Sequence, residues 1–325
     1  MDLLLNFEIS ITLFLQNLGA WLAGPFQAIS FLATEEFFIL ILPLVFWSID
    51  SLMGLRMAIM LVVSGSVNYY FKMIFHSPRP FWYDASVKSY SHETSFGIPS
   101  GHAQNSASQF GTMAATVRKK GFTIAMLVVI FLVGLSRLYL GMHFLRDVLA
   151  GWLLGGLLVW LYMSFEKKVA QWLTSKSLAT QILLSFVLGI VLILLGFGSQ
   201  ALSATWQMPA EWINNAALTG GAVPDPFNME GVITLGGVAF GFLSGYAIWV
   251  KKFGQPKALG SVVKRFARYL VGIVGVIALY LGLKMLFPEE PLMLGYILRF
   301  VRYTLIGLWV TYFAPLIFKK LKLEK

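Results

Sequence analysis

Residues 55–80 read LRMAIMLVVSGSVNYYFKMIFHSPRP, an apolar run that ends in two fixed cations and two prolines. The run is long enough to cross a bilayer as a helix, because a span needs about 20 apolar residues. Lys72 and Arg79 close it at a depth where a positive charge is costly unless an anion or water meets it. The stretch therefore predicts a membrane helix that ends at a polar site.

The composition supports a polytopic membrane protein. Of the 325 residues, 58% are hydrophobic and 12% are charged, whereas roughly 25% are charged in a typical soluble domain. The chain has no cysteine, which excludes disulfides and thiolate chemistry. The sequence predicts an all-α bundle of membrane helices, with apolar segments near 11–31, 36–50, 53–75, 101–117, 121–140, 144–164, 179–197, 230–250, 266–286 and 293–317.

Two of these segments are unusual. Segment 11–31 carries Gln16, Asn17 and Gln27 together with Gly and Pro, so it could lie in the membrane interface instead of spanning. Segment 101–117 is too polar to face lipid, and we expect it to be buried among other helices or to line a wet cavity.

The basic residues indicate the topology. Most of them cluster in alternate loops, at 118–120, 167–176, 251–268 and 319–325, while the long loop 198–229 has no Lys or Arg. The positive-inside rule places the basic loops and the C-terminus in the cytoplasm. The net charge of +10 then reflects topology, and no nucleic-acid partner is expected. We predict an integral protein of a bacterial inner (plasma) membrane.

Basic residues break this rule in two external connections, and three short motifs lie there. They are KMIFHSPRP at 72–80, PSGH at 99–102 and SRLYLGMHFLRD at 136–147. Counting the spans puts all three on the extracytoplasmic side. An anion-binding site would explain why positive charge occurs on that side, against the rule.

The cations of these motifs suit a phosphate group. Arginine forks bind two phosphate oxygens at once, and lysine adds a point charge. Lys72, Arg79 and Arg137 together offer three positive charges. Pro80 should hold Arg79 in an extended conformation. Pro99 and Gly101 suit a turn into a helix, whose first N–H groups can bind an anion.

The remaining polar residues suit acid–base and nucleophilic chemistry. Ser100 offers a hydroxyl, and His102 could donate a proton near neutrality. His143 and Asp147 are four residues apart, so on a helix they would share a face, and the carboxylate could fix the histidine tautomer. Two imidazoles beside three cations predict phosphoryl transfer without a metal or other cofactor, because metal sites avoid a surrounding cationic field.

Each feature also has an ordinary structural explanation. Lys72 and Arg79 could snorkel at a helix end, and His143 with Asp147 could be a buried polar pair. The occurrence of three motifs on one side of the membrane favours an active site. His76 and His92 are expected at the solvent side or the substrate entrance, and Glu93 is expected to order the loop.

Together the motifs resemble those of the type-2 phosphatidic acid phosphatase (PAP2) superfamily of integral-membrane lipid phosphatases, over roughly residues 10–165. The resemblance implies a six-helix PAP2-like core, with a catalytic domain at 1–165 and about four extra transmembrane helices of unknown role at 177–325. It implies that His102 is the general acid, that His143 is the nucleophile and that Asp147 supports His143. The phosphate-binding residues that it implies are Lys72, Arg79, Ser100, Gly101 and Arg137.

The predicted function is hydrolysis of a lipid phosphate or diphosphate at the extracytoplasmic face, through a phosphohistidine. Candidate substrates are phosphatidate, phosphatidylglycerophosphate, a sphingoid-base phosphate and a polyprenyl diphosphate. The partners would be this lipid and the bilayer, and the last helices could form a homodimer surface.

Three alternatives stay open. RPFW and GIPSGHA also resemble the glucose-6-phosphatase branch, and the chain could instead be a lipid phosphotransferase or a transporter. The loop 198–229 could cap the site, bind headgroups or only join two helices.

Overall fold

The structure, a computed structural model, describes residues 2–324; the first residue of the predicted domain 1–165 and the last of 177–325 lie outside it. The described chain is helical, and the predicted all-α membrane bundle is confirmed. The helices are α1 Asp2–Gln16, α2 Ala23–Phe31, α3 Glu35–Leu44, α4 Ser51–Phe75, α5 Pro80–Tyr83, α6 Gly101–Val117, α7 Lys120–Tyr139, α8 Leu145–Thr174, α9 Leu178–Leu202, α10 Ala210–Leu218, α11 Glu230–Phe253, α12 Val262–Leu286, α13 Leu292–Leu308 and α14 Ala314–Lys320.

Within residues 2–324, seven helical segments are long and apolar enough to cross a membrane, or eight if the bent pair α1–α2 counts as one span. A π-helical turn, Val45–Ile49, continues α3, and another, Trp309–Phe313, joins α13 to α14. The polar helix α6 buries most of its first three turns, including Gln104, Ser106 and Gln109. The expectation that segment 101–117 is buried is therefore confirmed for its first three turns.

The first predicted segment, 11–31, is not one helix. Helix α1 ends at Gln16, and α2 starts at Ala23 after a short 3₁₀ turn, with a bend of 90° between the two. Gly19 has φ 120°, a conformation that residues with a Cβ rarely adopt. The chain therefore turns at Gly19, and segment 11–31 forms two helices. The apolar composition of the segment did not predict this bend.

The backbone packs as two compact units. The first unit contains the chain up to Phe38, Val63–Leu161 and Phe197–Asn228, and the second contains Ile39–Val62, Tyr162–Gly196 and the chain from Met229 onward. Loop 198–229, which the sequence assigns to the extra half, thus packs almost entirely with the first unit. The functional division into 1–165 and 177–325 stays a prediction.

Helices α11 and α13 pack closely in the second unit. A Cβ at Gly237 would lie 2.6 Å from the carbonyl oxygen of Phe300, so the small residues of α11 allow the two backbones to approach. Arg299 pairs with Glu230, and the guanidinium of Arg302 lies 5.2 Å from the ring centre of Tyr303. The glycine-rich stretch GGVAFGFLSG at 236–245 thus lies in a helix-packing contact.

Helix α8 lies close against the start of α6 in the first unit. A Cβ at Gly151 would lie 2.7 Å from the carbonyl oxygen of Ser100 and 3.0 Å from the Cβ of Ala103. One turn further along the same helix, a Cβ at Gly156 would meet nothing within 4 Å. The same substitution should therefore have opposite effects at these two positions.

We expect Gly151→Ala to lower the melting temperature in detergent, because overpacking against a backbone atom costs about 1–3 kcal/mol. Gly156→Ala should leave the melting temperature unchanged or raise it, since alanine is favoured over glycine in a helix by about 1 kcal/mol. Equal melting temperatures for the two variants would contradict this packing.

Candidate active site

Arg79 connects the first motif to the third. It is completely buried, and Pro80 holds it in an extended conformation at φ −96° and ψ 158°, as predicted. Its Nη1 donates to the carbonyl oxygen of Met142 at 2.9 Å and lies 3.2 Å from Nε2 of His143. Two motifs separated by more than sixty residues therefore share one hydrogen-bonded site.

The carboxylate of Glu93 connects the arginines to the second motif. Its Oε1 accepts from Nη2 of Arg137 at 2.7 Å, and its Oε2 accepts from Nη2 of Arg79 at 3.3 Å. Nδ1 of His102 lies 3.7 Å from Oε1. Residues from all three motifs thus surround one carboxylate, and we call Lys72, Arg79 and Arg137 the cationic cradle.

A hydroxyl group links Lys72 to Arg79 within the cradle. The Nζ of Lys72 donates to Oγ of Ser95 at 2.7 Å, and the same oxygen accepts from Nη2 of Arg79 at 3.1 Å. Nε of Arg79 also donates to the carbonyl oxygen of Ser95 at 2.6 Å. Arg137 is held from its other side, since its Nη1 donates to Oγ of Ser30 at 2.7 Å. The cations are therefore fixed before any ligand binds.

The start of α6 explains the positions of Ser100 and Gly101. Ser100 is the extended N-cap residue, and its Oγ accepts from the backbone N–H of Ala103 at 3.4 Å. Its own N–H donates to the carbonyl oxygen of Asp147 at 2.9 Å, which joins the second motif to the third. The Ser100 hydroxyl thus caps the helix, and a contact between this hydroxyl and phosphate stays a prediction.

His143 and Asp147 pair, although they are not on one helix face as expected. His143 lies in the connection before α8, and Asp147 lies in the first turn of that helix. The Oδ2 of Asp147 accepts from the N–H of Phe144 at 3.1 Å and lies 3.4 Å from Nδ1 of His143. The carboxylate thus reaches back to cap α8, as in a capping box, and thereby meets the imidazole.

The neighbours of His143 determine its tautomer. A guanidinium N–H can only donate, so the Arg79 contact requires a lone pair on Nε2, and the proton lies on Nδ1 toward Asp147. Burial lowers the pKa of His143, and Arg79 and Arg137 lower it further, so the imidazole is neutral. A neutral imidazole with an unprotonated Nε2 is the nucleophilic form.

Glu93 is ionised in this site. Burial raises the pKa of its carboxyl, but the guanidinium groups of Arg79 and Arg137 lower the pKa by more, so that it lies below its usual value. The sequence predicted only that Glu93 orders the loop. An acid in the connection between two cationic motifs was the available signal for this closer role.

One further contact around the site was missed from sequence. Glu8 of α1 is buried and accepts from the backbone N–H of Arg146 at 2.7 Å, next to Asp147. An acid within an apolar helix was the signal for Glu8, because such a residue usually has a partner.

Across residues 2–324, no three His, Asp or Glu side chains lie close enough to hold a metal ion.

Segment 203–228 packs on the connection that carries the first motif. The ring of Trp206 stacks on His76 with centres 4.8 Å apart, and Trp82 lies 6.2 Å from Trp212. The N–H of Asp225 donates to the carbonyl oxygen of Thr94 at 3.0 Å. His76 is thus packed under this segment, whereas His92 is exposed, as expected.

Two family models match the chain. The model of the PAP2 superfamily matches residues 53–170, which contain all three motifs. The model described as PAP2 superfamily phosphatase, transmembrane extension, matches residues 233–325.

Curated relatives match parts of the chain. Phosphatidylglycerophosphatase B of Bacillus subtilis (strain 168) is 41% identical over 87 residues, which are 24% of this chain and 43% of the relative. Lipid phosphate phosphatase delta of Arabidopsis thaliana is 25% identical over 46% of this chain and 40% of its own length. Glucose-6-phosphatase catalytic subunit 1 of Felis catus is 27% identical over 50% of this chain and 55% of its own length. The chain thus aligns with about half of each relative or less.

Proposed function

Because this chain belongs to the PAP2 superfamily, we propose that it is a metal-independent membrane phosphatase acting on a lipid phosphate or diphosphate at the extracytoplasmic face. One observation carries this proposal. Arg79, Arg137 and His102 surround a single carboxylate, and the unprotonated Nε2 of His143 lies 3.2 Å from Nη1 of Arg79. An anion held there would face a nucleophile and a proton donor at once.

The proposed reaction has two steps. A phosphate in the cationic cradle is attacked by Nε2 of His143, while Asp147 stabilises the developing imidazolium through Nδ1–H. The phosphorus–oxygen bond to the lipid breaks, and His102, which is protonated once the substrate anion lies beside it, gives that proton to the departing oxygen. Water then attacks the phosphohistidine with His102 as base, which releases phosphate and restores the free imidazole. The cradle stabilises the charge on the equatorial oxygens in both steps.

The lipid class is proposed from the setting of the site and from the relatives. The first and third motifs lie at the ends of long apolar helices, so a lipid could reach the cradle sideways from the outer leaflet. Relatives named for phosphatidylglycerophosphate and for lipid phosphate support this class.

A sugar phosphate is the second candidate. The stretches RPFW and GIPSGHA and the glucose-6-phosphatase relative favour it. We expect short-chain phosphatidate to suppress the turnover of glucose 6-phosphate by purified protein in detergent with EDTA, and glucose 6-phosphate not to suppress that of phosphatidate. The reverse order of competition would support the sugar-phosphate reading.

A lipid transporter or a phosphotransferase would behave differently in the same assay. A transporter would release no phosphate from any member of a broad lipid phosphate panel. A phosphotransferase would move the label of a 32P-lipid to an acceptor other than water. Phosphate released into water, and lost in His143→Ala, would support the hydrolase.

A further inference from the structure

Glu93 lies where the proposed function places the phosphate of the substrate. Its Oε1 lies 2.7 Å from Nη2 of Arg137 and 3.7 Å from Nδ1 of His102, and its Oε2 lies 3.3 Å from Nη2 of Arg79. Carboxylates and phosphates use the same guanidinium donors. Glu93 and a bound phosphate therefore compete for the same N–H groups.

We propose that the Glu93 carboxylate is a built-in occupant of the phosphate cradle, which the substrate must displace and which helps to expel the product phosphate. The inference rests on the proposed phosphatase function and adds a residue to it. Glu93 is a positioning residue in this scheme, because it acts on the cradle and makes no bond to the reacting phosphorus.

The side chain of Glu93 has access to solvent and can move out of the cradle. It is 21% exposed, whereas the side chains of Arg79 and Arg137 are 0% and 1% exposed. Glu93 stands in the irregular connection between α5 and α6, between the exposed residues His92 and Thr94. A rotation about its side-chain bonds would bring the carboxylate toward solvent.

The backbone next to Glu93 does not have to move. The carbonyl oxygen of Ser95 accepts from Nε of Arg79, and its hydroxyl accepts from Lys72. The carbonyl oxygen of Thr94 accepts from the N–H of Asp225. The cradle thus stays assembled when the carboxylate leaves, and the same side chain can return after hydrolysis.

The Glu93 carboxylate would help to release the product phosphate at the end of the reaction cycle. Free phosphate in a buried site with three cations would dissociate slowly, because charge-assisted hydrogen bonds are strong. A tethered carboxylate competes for these hydrogen bonds at a high effective concentration. Its return lowers the affinity for the product, while a lipid phosphate also gains binding from its acyl chains.

The test is the binding of inorganic 32P-phosphate to purified protein in detergent. Glu93→Gln keeps the shape of the side chain and removes its charge, so we expect phosphate to bind roughly tenfold tighter or more. Glu211→Gln removes a charge from an exposed position in α10 and should leave the affinity unchanged. Size-exclusion chromatography checks that the variants are folded, and Glu93→Asp, which is too short to reach both arginines, replaces Glu93→Gln if that variant misfolds.

Each outcome decides a separate point. Tighter binding in Glu93→Gln, with slower steady-state turnover limited by phosphate release, supports the proposal. Equal or weaker binding than in the wild-type protein overturns the role of Glu93 and leaves the phosphatase function standing. No phosphate binding to any of the proteins, even at millimolar concentrations, overturns the role of Glu93, whereas the phosphatase function fails only if no lipid phosphate releases phosphate.

Discussion

Replacing His143 with alanine is expected to abolish phosphate release, with a loss in kcat on the order of 10⁴-fold or more. The reason is that Nε2 of His143 is the only group proposed to bond to phosphorus. Its Nδ1 already faces Asp147 at 3.4 Å and its Nε2 faces Arg79 at 3.2 Å. The measurement is phosphate release from a 32P-lipid, together with acid quenching to trap an acid-labile phosphoenzyme.

His92→Ala is the matched control for this variant. His92 is exposed and lies in the same connection between α5 and α6 as Glu93, so its replacement should leave turnover and the trapped phosphoenzyme unchanged. A phosphoenzyme that still forms in His143→Ala would assign the nucleophile to another residue and refute the proposed first step.

Arg137→Lys is expected to lower kcat/KM by roughly 100-fold, although the charge is conserved. Arg137 uses two nitrogens in two directions, with Nη1 on Ser30 and Nη2 on Glu93. A lysine has one nitrogen on a flexible stem and cannot reach both oxygens at once. The loss should appear in kcat as well as in KM, because the guanidinium is proposed to stabilise the charge of the transition state.

Arg118→Lys is the control for the arginine experiment. Arg118 is exposed at the end of α6, and the same change there should keep kcat/KM within about twofold. A melting temperature close to that of the wild-type protein would show that Arg137→Lys is folded. A folded Arg137→Lys variant with unchanged kcat/KM would remove Arg137 from the cradle.

The position of the functional residues along the chain could be read from sequence. Lys72, Arg79 and Arg137 break the positive-inside pattern of an otherwise regular membrane protein, and His102 and His143 stand beside them. These signals are local, because charge is costly in an apolar segment wherever that segment packs. The expectation that the cations and both imidazoles meet rests instead on counting the spans, which puts the three motifs on one side, and the structure brings them together.

The partners of those residues could not be read in this way. Ser30 lies more than a hundred residues from the arginine that it holds, and Glu8 is similarly far from Arg146. The pairing of His143 with Asp147 was expected for a reason that proved wrong, because Asp147 caps α8 from inside the helix while His143 precedes it. Spacing along a chain gives a pairing only when the backbone conformation between the two residues is known.

By itself, then, the amino-acid order determined the helical class, the membrane setting and the residue types of the three motifs, since hydrophobic periodicity and the cost of a buried charge act within one segment. Only the tertiary structure decided that Glu93 lies between two arginines, that α1 and α2 bend at Gly19, and that segment 203–228 packs on the first motif. Those features depend on which distant backbone segments come within hydrogen-bond distance, and no single stretch of sequence carries that information.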